Sequence, residues 1–240
     1  LSGRSAGCSV KGLARHTLVG RFVLEYAIAL EASVPGDKAE TKIYNRVAWR
    51  YDLLEAPMER MFFSKLRREM FPGVKGKVLD VGTGTGKNLP YYPRGIELTG
   101  IDISPRMLDK ARKRADKLGI KVDLEVMDVE DLRFPDSNFD FIVVTFVFCS
   151  ATDPVKGLRE LARVLKYDGT ILMLEHVRSE TRVLGKLMDW FNPVARWLFG
   201  PNINRRTVEN VKAAGLEVVS VESKGPKILK KIIARRPKPA

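Results

Sequence analysis

Val78-Leu79-Asp80-Val81-Gly82-Thr83-Gly84-Thr85-Gly86 is a short apolar run that closes on an acid and then breaks into three alternating glycines. The run Lys77–Val81 has the length and make-up of a buried strand. Glycines placed directly after a strand let the backbone approach a ligand in conformations closed to larger residues. Outward from this loop the chain alternates strand and helix. Ile96–Asp102 is the next expected strand. Ser104 then caps a helix with Pro105 in its first turn, Met107, Leu108, Ala111, Ala115 and Leu118 on its buried face, and Gly119 at its end. Ile120–Met127 alternates as a strand, and Phe139–Phe146 is a near-continuous apolar run of the central parallel kind. Asp153-Pro154 opens a helix striped by Leu158, Leu161, Ala162 and Leu165, and Asp168-Gly169 is expected to turn the chain into the strand Thr170–Val177.

The end of the chain reads as a helix over Arg205–Gly215 and strands over Leu216–Glu222 and Ile228–Ala234. The connection Ser223–Lys227 is too short for a parallel crossover, so the final strand is expected to run antiparallel. The fold class that follows is α/β: a Rossmann-like, seven-stranded, mainly parallel sheet with an antiparallel last strand and helices on both faces. Upstream, Leu18, Val19, Phe22, Val23, Tyr26 and Leu30 recur at helical spacing, Pro35-Gly36-Asp37 breaks the chain, and Tyr44, Val47, Ala48, Tyr51 and Leu54 mark a second amphipathic helix. Residues 1–36 are read as an N-terminal extension, with the native start expected near Val34. Residues 37–240 form the expected domain.

The bulk numbers narrow the chemistry. An apolar fraction of 45% and a charged fraction of 30% are those of a globular chain. Cys8, Cys149, His16 and His176 are too few and too scattered for a metal site, and no metal is expected. Leu18–Val34 is interrupted by Arg21, Glu25 and Glu31, which opposes both a membrane span and a secretory leader. The net charge is +13, of which +9 falls on residues 181–240, so the basic excess belongs to the C-terminal quarter. Such asymmetry fits a solvated lysine-rich face or attraction to an anionic membrane or nucleic acid.

Four elements carry the site. In the glycine loop the third glycine falls one position earlier than in the pyrophosphate-binding pattern, and Lys87 fills the later slot. An acid, Asp80, stands two residues before Gly82, and an anion there suits a cationic ligand better than a pyrophosphate. S-adenosylmethionine, with a sulfonium, an ammonium and no phosphate, is such a ligand. Asp102 ends the second strand, 22 residues after Asp80, where an acid accepts from both ribose hydroxyls; alternatively it is a turn residue beside Ser104. Asp128 follows the third strand, placed to accept from an adenine amino group with Val129 against the ring, or to be a solvated turn acid. The fourth strand delivers Thr145 and Phe146-Val147-Phe148 to the edge where open α/β sheets bind ligands.

With Tyr44-Asn45-Arg46-Val47-Ala48-Trp49-Arg50-Tyr51-Asp52, these elements resemble the class I S-adenosylmethionine-dependent methyltransferases, within them the UbiE-like type that includes the quinone methyltransferases. The resemblance runs from about Ala39 to Arg236. It implies S-adenosylmethionine as cofactor, lid helices at the domain's start, and a substrate-side insertion over 181–206. It further implies that Val81, Gly82, Thr83, Gly84 and Gly86 meet the methionine part, with Asp80 anchoring their loop. Asp102, Ile103 and Met107 would surround ribose and adenine, Asp128 and Val129 would hold the adenine, and Thr145 would close the site. Tyr51 would line the same pocket, or belong to the core stripe of its helix.

The sequence departs from the quinone enzymes over Leu174-Glu175-His176-Val177-Arg178-Ser179, Asp189-Trp190-Phe191-Asn192-Pro193 and Gly200-Pro201-Asn202-Ile203-Asn204-Arg205-Arg206-Thr207, and there resembles phospholipid-type and membrane-associated relatives. The implied activity is methyl transfer to a small, hydrophobic or lipid-like acceptor, a phospholipid amine or a quinone. His176 is the residue placed to act as a base, or else bonds within its own loop. Cys149 reads as a nucleophile or, more simply, a buried small residue. Residues 183–206 read as a helix pair over the sheet or as a lid on anionic membrane, and the expected location is cytoplasmic, peripheral at the inner face of the membrane. Three other readings stand beside this one. A nucleic-acid methyltransferase lacks its Asn-Pro-Pro-Tyr-type motif here, so no specific nucleic acid is expected. A silent cofactor-binding module and a dehydrogenase complete the set.

Overall fold

The computed structural model describes residues 63–179, 181, 186, 188–190, 205–224 and 229–237. The helices expected before residue 63, Tyr44 and Tyr51 with them, lie outside the described residues, as do most of 181–206.

The described elements are α1 (Ser64–Met70), β1 (Lys77–Val81), a 3₁₀ turn (Leu89–Tyr91), β2 (Glu97–Asp102), α2 (Pro105–Leu118), β3 (Asp123–Val126), β4 (Phe139–Thr145), α3 (Pro154–Val164), β5 (Leu165–His176), α4 (Thr207–Ala213), β6 (Glu217–Lys224) and β7 (Leu229–Arg235). They build one seven-stranded sheet of order β3-β2-β1-β4-β5-β7-β6. All neighbours from β3 to β5 pair in parallel, while β7 pairs antiparallel with β5 and with β6. The single reversed strand therefore sits between β5 and β6 rather than at the edge. Successive strands run outward from β1 in one direction and from β4 in the other, so the order switches between them. Ligands in such sheets bind outside the carboxyl ends of the strands at that switch.

Strand alternation divides the core between two faces. Leu79, Val81, Ile142, Val144, Ile171 and Met173 pack with Leu158, Leu161 and Val164 of α3 and Val211 of α4. Their neighbours Val78, Leu98, Val143, Leu172 and Leu174 face the other way, onto Leu66 and Met70 of α1 and Ala115 of α2. Period-two alternation in the sheet against helical stripes on each side produces the three layers. The helix ends are local devices. Ser104 Oγ accepts from Met107 N at 3.2 Å, and Gly119 at φ +63 donates back to Ala115 and Asp116. Asp153 Oδ1 accepts from Lys156 N at 3.0 Å ahead of Pro154.

Four expectations need correction. Asp168-Gly169 is not a turn that precedes the strand. Phe139 pairs with Leu165 and Phe141 with Thr170, so β5 starts directly at the end of α3 and these residues form a bulge in it. Leu165, placed on the α3 stripe by its spacing, is the first residue of that strand and is still fully buried. β3 is shorter than its alternation indicates, an exposed edge strand of four residues. Leu118 is half-exposed, at the last helical position before the left-handed Gly119 cap.

Candidate active site

A cleft of about 1000 Å³ opens at the carboxyl ends of β1, β2, β3 and β4. Val81, Gly82, Thr83 and Gly84 line it from the glycine loop, Asp102, Ile103 and Met107 from the end of β2 and start of α2, and Asp128 and Val129 from the end of β3. Thr145 and Phe146 close it from β4. The four elements read from the sequence therefore meet in one place. Asp80 and Gly86 lie behind this lining, His176 is outside it, and Tyr51 is outside the described residues.

The loop's backbone is held from within. Thr83 N donates to Ile101 O at 2.9 Å, Gly86 N to Thr83 O at 2.9 Å, and Gly84 N to Asp102 Oδ2 at 2.9 Å. Gly82 and Gly84 sit at φ +65 and +58, and a Cβ on Gly82 would run into the Val147 side chain. Three loop N–H groups are thus consumed internally, where a pyrophosphate-binding loop turns such groups toward its ligand. Asp102 also accepts from Ser104 N at 2.8 Å through Oδ1. Burial, opposed by these two bonds and reinforced by the charge of Asp80, raises the Asp102 carboxyl to about 6. A loop whose N–H groups are spent and a carboxylate at the end of β2 favour a phosphate-free ligand, and S-adenosylmethionine fits that description.

Under the loop lies a polar network that the motifs do not reveal. Asp80 is fully buried; Asn88 Nδ2 donates to its Oδ1 at 2.8 Å and to Thr145 Oγ1 at 3.1 Å. Arg67, buried on α1, donates to Asn88 Oδ1 and, at 3.3 Å, to Thr145 Oγ1. Burial pushes Asp80 up to about 6 against the hydrogen bond from Asn88, the neighbouring Tyr92 hydroxyl and the nearby Arg67 charge. The network ties β1, β4 and the loop after β1 to the helix that precedes the sheet.

The wall after β4 is a strained turn. Phe146, a bulky residue, adopts φ +59, where a side chain costs roughly 1–3 kcal/mol. Glu175 of β5 compensates: its Oε1 accepts from Val147 N at 2.9 Å and from Phe148 N at 3.3 Å. The carboxyl is fully buried and burial lifts it to about 7, with Oε2 lacking a partner among the described residues. At the end of the same turn Arg205 Nη2 donates to Ala151 O at 2.7 Å. The Phe146 ring stacks at 4.7 Å on His176 and 5.1 Å from Phe63, with the Arg67 guanidinium 5.7 Å from its centroid. His176 thus packs on a ring that lines the cleft, while lying outside the lining itself. The Cys149 thiol is buried and pushed up to about 12, chiefly by burial, which makes it a packing residue.

Comparison with known proteins agrees with this geometry. The profile of the methyltransferase-domain family matches residues 79–173. The ubiquinone/menaquinone biosynthesis C-methyltransferase UbiE of Bordetella avium is 36% identical over 180 residues, 69% of each chain. A phosphatidylethanolamine N-methyltransferase of Cereibacter sphaeroides is 38% identical over 103 residues, 42% of this chain. The match spans about half, 51%, of that relative's length. A crystal structure of an S-adenosylmethionine-dependent methyltransferase from Aquifex aeolicus superposes with TM-score 0.59 and 26% identity, over 78% of this chain and 97% of that one. The cyclase SpnF shares the fold at TM-score 0.61 and 22% identity, over 73% and 80%. A nucleotide-cofactor cleft with a phosphate-free glycine loop is the mark of a methyl-transferring α/β enzyme. This chain belongs to the S-adenosylmethionine-dependent methyltransferase family, on its UbiE-like side, and it is an enzyme that takes S-adenosylmethionine as cofactor.

Proposed function

We infer that the acceptor is a small hydrophobic or lipid-like molecule, a phospholipid amine or a quinone, that enters over Phe146. The observation that carries this reading is the composition of the wall after β4, where Phe146, Val147 and Ala151 give the cleft an apolar face beside its glycine loop. The similarity to quinone and phosphatidylethanolamine methyltransferases supports it. Bound S-adenosylmethionine would supply an electrophilic methyl group, whose carbon the acceptor attacks in line as the bond to sulfur breaks and S-adenosylhomocysteine leaves. The chain's part is then orientation and exclusion of water. Asp102 holds a ribose through the acceptor capacity its two backbone bonds leave, while Val129, Ile103 and Met107 enclose the adenine and Asp128 meets its amino group. Val81, Gly82, Thr83, Gly84 and Gly86 shape the seat of the methionine part above Asp80, and Thr145 closes it. Phe146 caps the methyl and faces the acceptor. His176 orients that ring rather than taking the acceptor's proton.

Among the described residues no helix is long and apolar enough to cross a membrane. We place the working surface against anionic lipid, in line with the basic C-terminal quarter. Tritium from methyl-labelled S-adenosylmethionine should appear in phosphatidylethanolamine vesicles or in a quinone precursor, and not in RNA or DNA. Label confined to nucleic acid would overturn the reading.

A further inference from the structure

Beside the cofactor cleft lies a second cavity, of about 470 Å³ with its open mouth, bounded by Arg178, Ser179, Arg205, Arg206, Thr207 and Lys230. We propose that it is an anion subsite that takes a phosphate group carried by the methyl acceptor. The proposal rests on the lipid-like reading of that acceptor and names the part of it that is recognised.

Four cationic side chains line the cavity against one carboxylate, Glu209. Arg178 is engaged by Asp189 at 2.7 Å. Lys230 is only 9% exposed and Thr207 1%. The Thr207 hydroxyl is buried with no hydrogen-bond partner among the described residues. A buried hydroxyl is ordinarily satisfied, and one left over in a basic cavity calls for an acceptor brought from outside. A phosphate group supplies oxygens to that hydroxyl and to guanidinium forks at once.

The cavity is also tied to the reacting cleft. Arg205 lines it and donates to Ala151 O at 2.7 Å, and Ala151 lines the cofactor cleft. Arg178 N donates to Arg205 O at 2.9 Å, which fixes the two sides of the cavity to each other. Both spaces therefore share one wall, at the carboxyl edge of β4 and β5. An acceptor with its phosphate in the basic cavity reaches over Ala151 toward the methyl group, and its headgroup is gripped from the end away from the nucleophile.

Inorganic phosphate is the probe of the subsite, and vesicles of phosphatidylethanolamine in phosphatidylcholine are the probe of its lipid-borne form. Calorimetry on the full chain should find phosphate bound with millimolar affinity, and binding lost in Thr207→Val and in the exposed Arg206→Glu. This readout is independent of turnover and keeps the proposal falsifiable if the buried variant does not fold. With vesicles, phosphate should compete against the lipid and not against S-adenosylmethionine. Arg206→Glu should raise KM by about tenfold, the loss of one charge-assisted hydrogen bond, with kcat and cofactor affinity retained. Lys113→Glu, exposed on the distant α2, controls for surface charge and should leave KM unchanged. If phosphate binds and label goes into soluble phosphoethanolamine instead of vesicles, the subsite stands with a soluble ester as its ligand. No phosphate binding, or an Arg206→Glu variant that matches Lys113→Glu, overturns it. Absence of label from every lipid while phosphate and S-adenosylmethionine both bind would sink the acceptor reading and leave the subsite standing.

Discussion

Glu175→Gln should make the fold less sensitive to pH, by an amount the structure sets. The wild-type carboxyl is buried under the Phe146 turn and holds its proton to about 7, against an ordinary 4.5. The unfolded chain loses that proton near 4.5, so between the two values the folded state binds more protons than the unfolded one. Stability then falls as pH rises across that window. A carboxyl moved from 4.5 to about 7 corresponds to about 3 kcal/mol, present as stability below the unfolded value and gone by about pH 8. Glutamine keeps an oxygen for Val147 N and Phe148 N and does not titrate; its surplus amide adds an offset that is the same at every pH. Asp80 and Asp102, also raised to about 6, give slopes of the same sign in both proteins and cancel in the difference. Urea unfolding at pH 5 and pH 8.5 is the assay. The difference in midpoint between wild type and Glu175→Gln should swing by about 1 M in favour of the variant, taking a slope of about 3 kcal/mol per molar. A difference that stays constant across that range refutes the assignment of a burial-raised carboxyl at 175.

Two further changes test the halves of the cleft. Asp102→Ala removes the acceptor of Gly84 N and Ser104 N as well as the proposed ribose anchor. S-adenosylmethionine affinity by calorimetry should fall about 100-fold, the loss of two charge-assisted hydrogen bonds, and unchanged affinity would break the cofactor assignment. His176→Phe preserves an aromatic partner for Phe146 and should retain kcat within a few-fold. A kcat reduced by about 100-fold or more, with loss of the acidic limb of the pH profile, would instead make His176 the base.

What could be read from the sequence was whatever a local pattern announces. The glycine loop, Asp102, Asp128 and the run into Thr145 each stand at a strand end, and strand ends follow from apolar periodicity. Arg67 carried a weaker signal, since Phe63, Arg67 and Met70 share one helical face and a cation inside an apolar stripe needs an internal partner. Among Lys65, Arg67 and Arg68, only that stripe picks out the buried one. Asn88 gave no signal at all; its role depends on Asp80 and Thr145 lying on adjacent strands. Glu175 was visible as an acid closing Leu172-Met173-Leu174, yet the neighbouring imidazole drew the chemical argument. Alternation separates the two. Glu175 shares the face of Met173 and reaches the Phe146 turn, whereas His176 shares the face of Leu172 and Leu174 and meets Phe63 and Phe146. The bulge at Asp168-Gly169 was hidden for a different reason, because Asp-Gly marks a reversal and a strand irregularity alike.

The fold that this chain has in common with SpnF places a cleft at the switch between β1 and β4, and nothing in that placement selects an acceptor. The proposed acceptor wall is the turn that starts at Phe146, whose backbone is left-handed at a bulky residue and so does not hold itself. Glu175 grips the start of that turn through Val147 and Phe148, and Arg205 grips its end through Ala151. Both grips come from segments after the cofactor motifs. Substitutions at 175 or 205 should therefore act on that proposed wall, with Asp102 and the glycine loop left in place. A change of acceptor in this family has a route through those two anchors that requires no change in how the methyl donor is held.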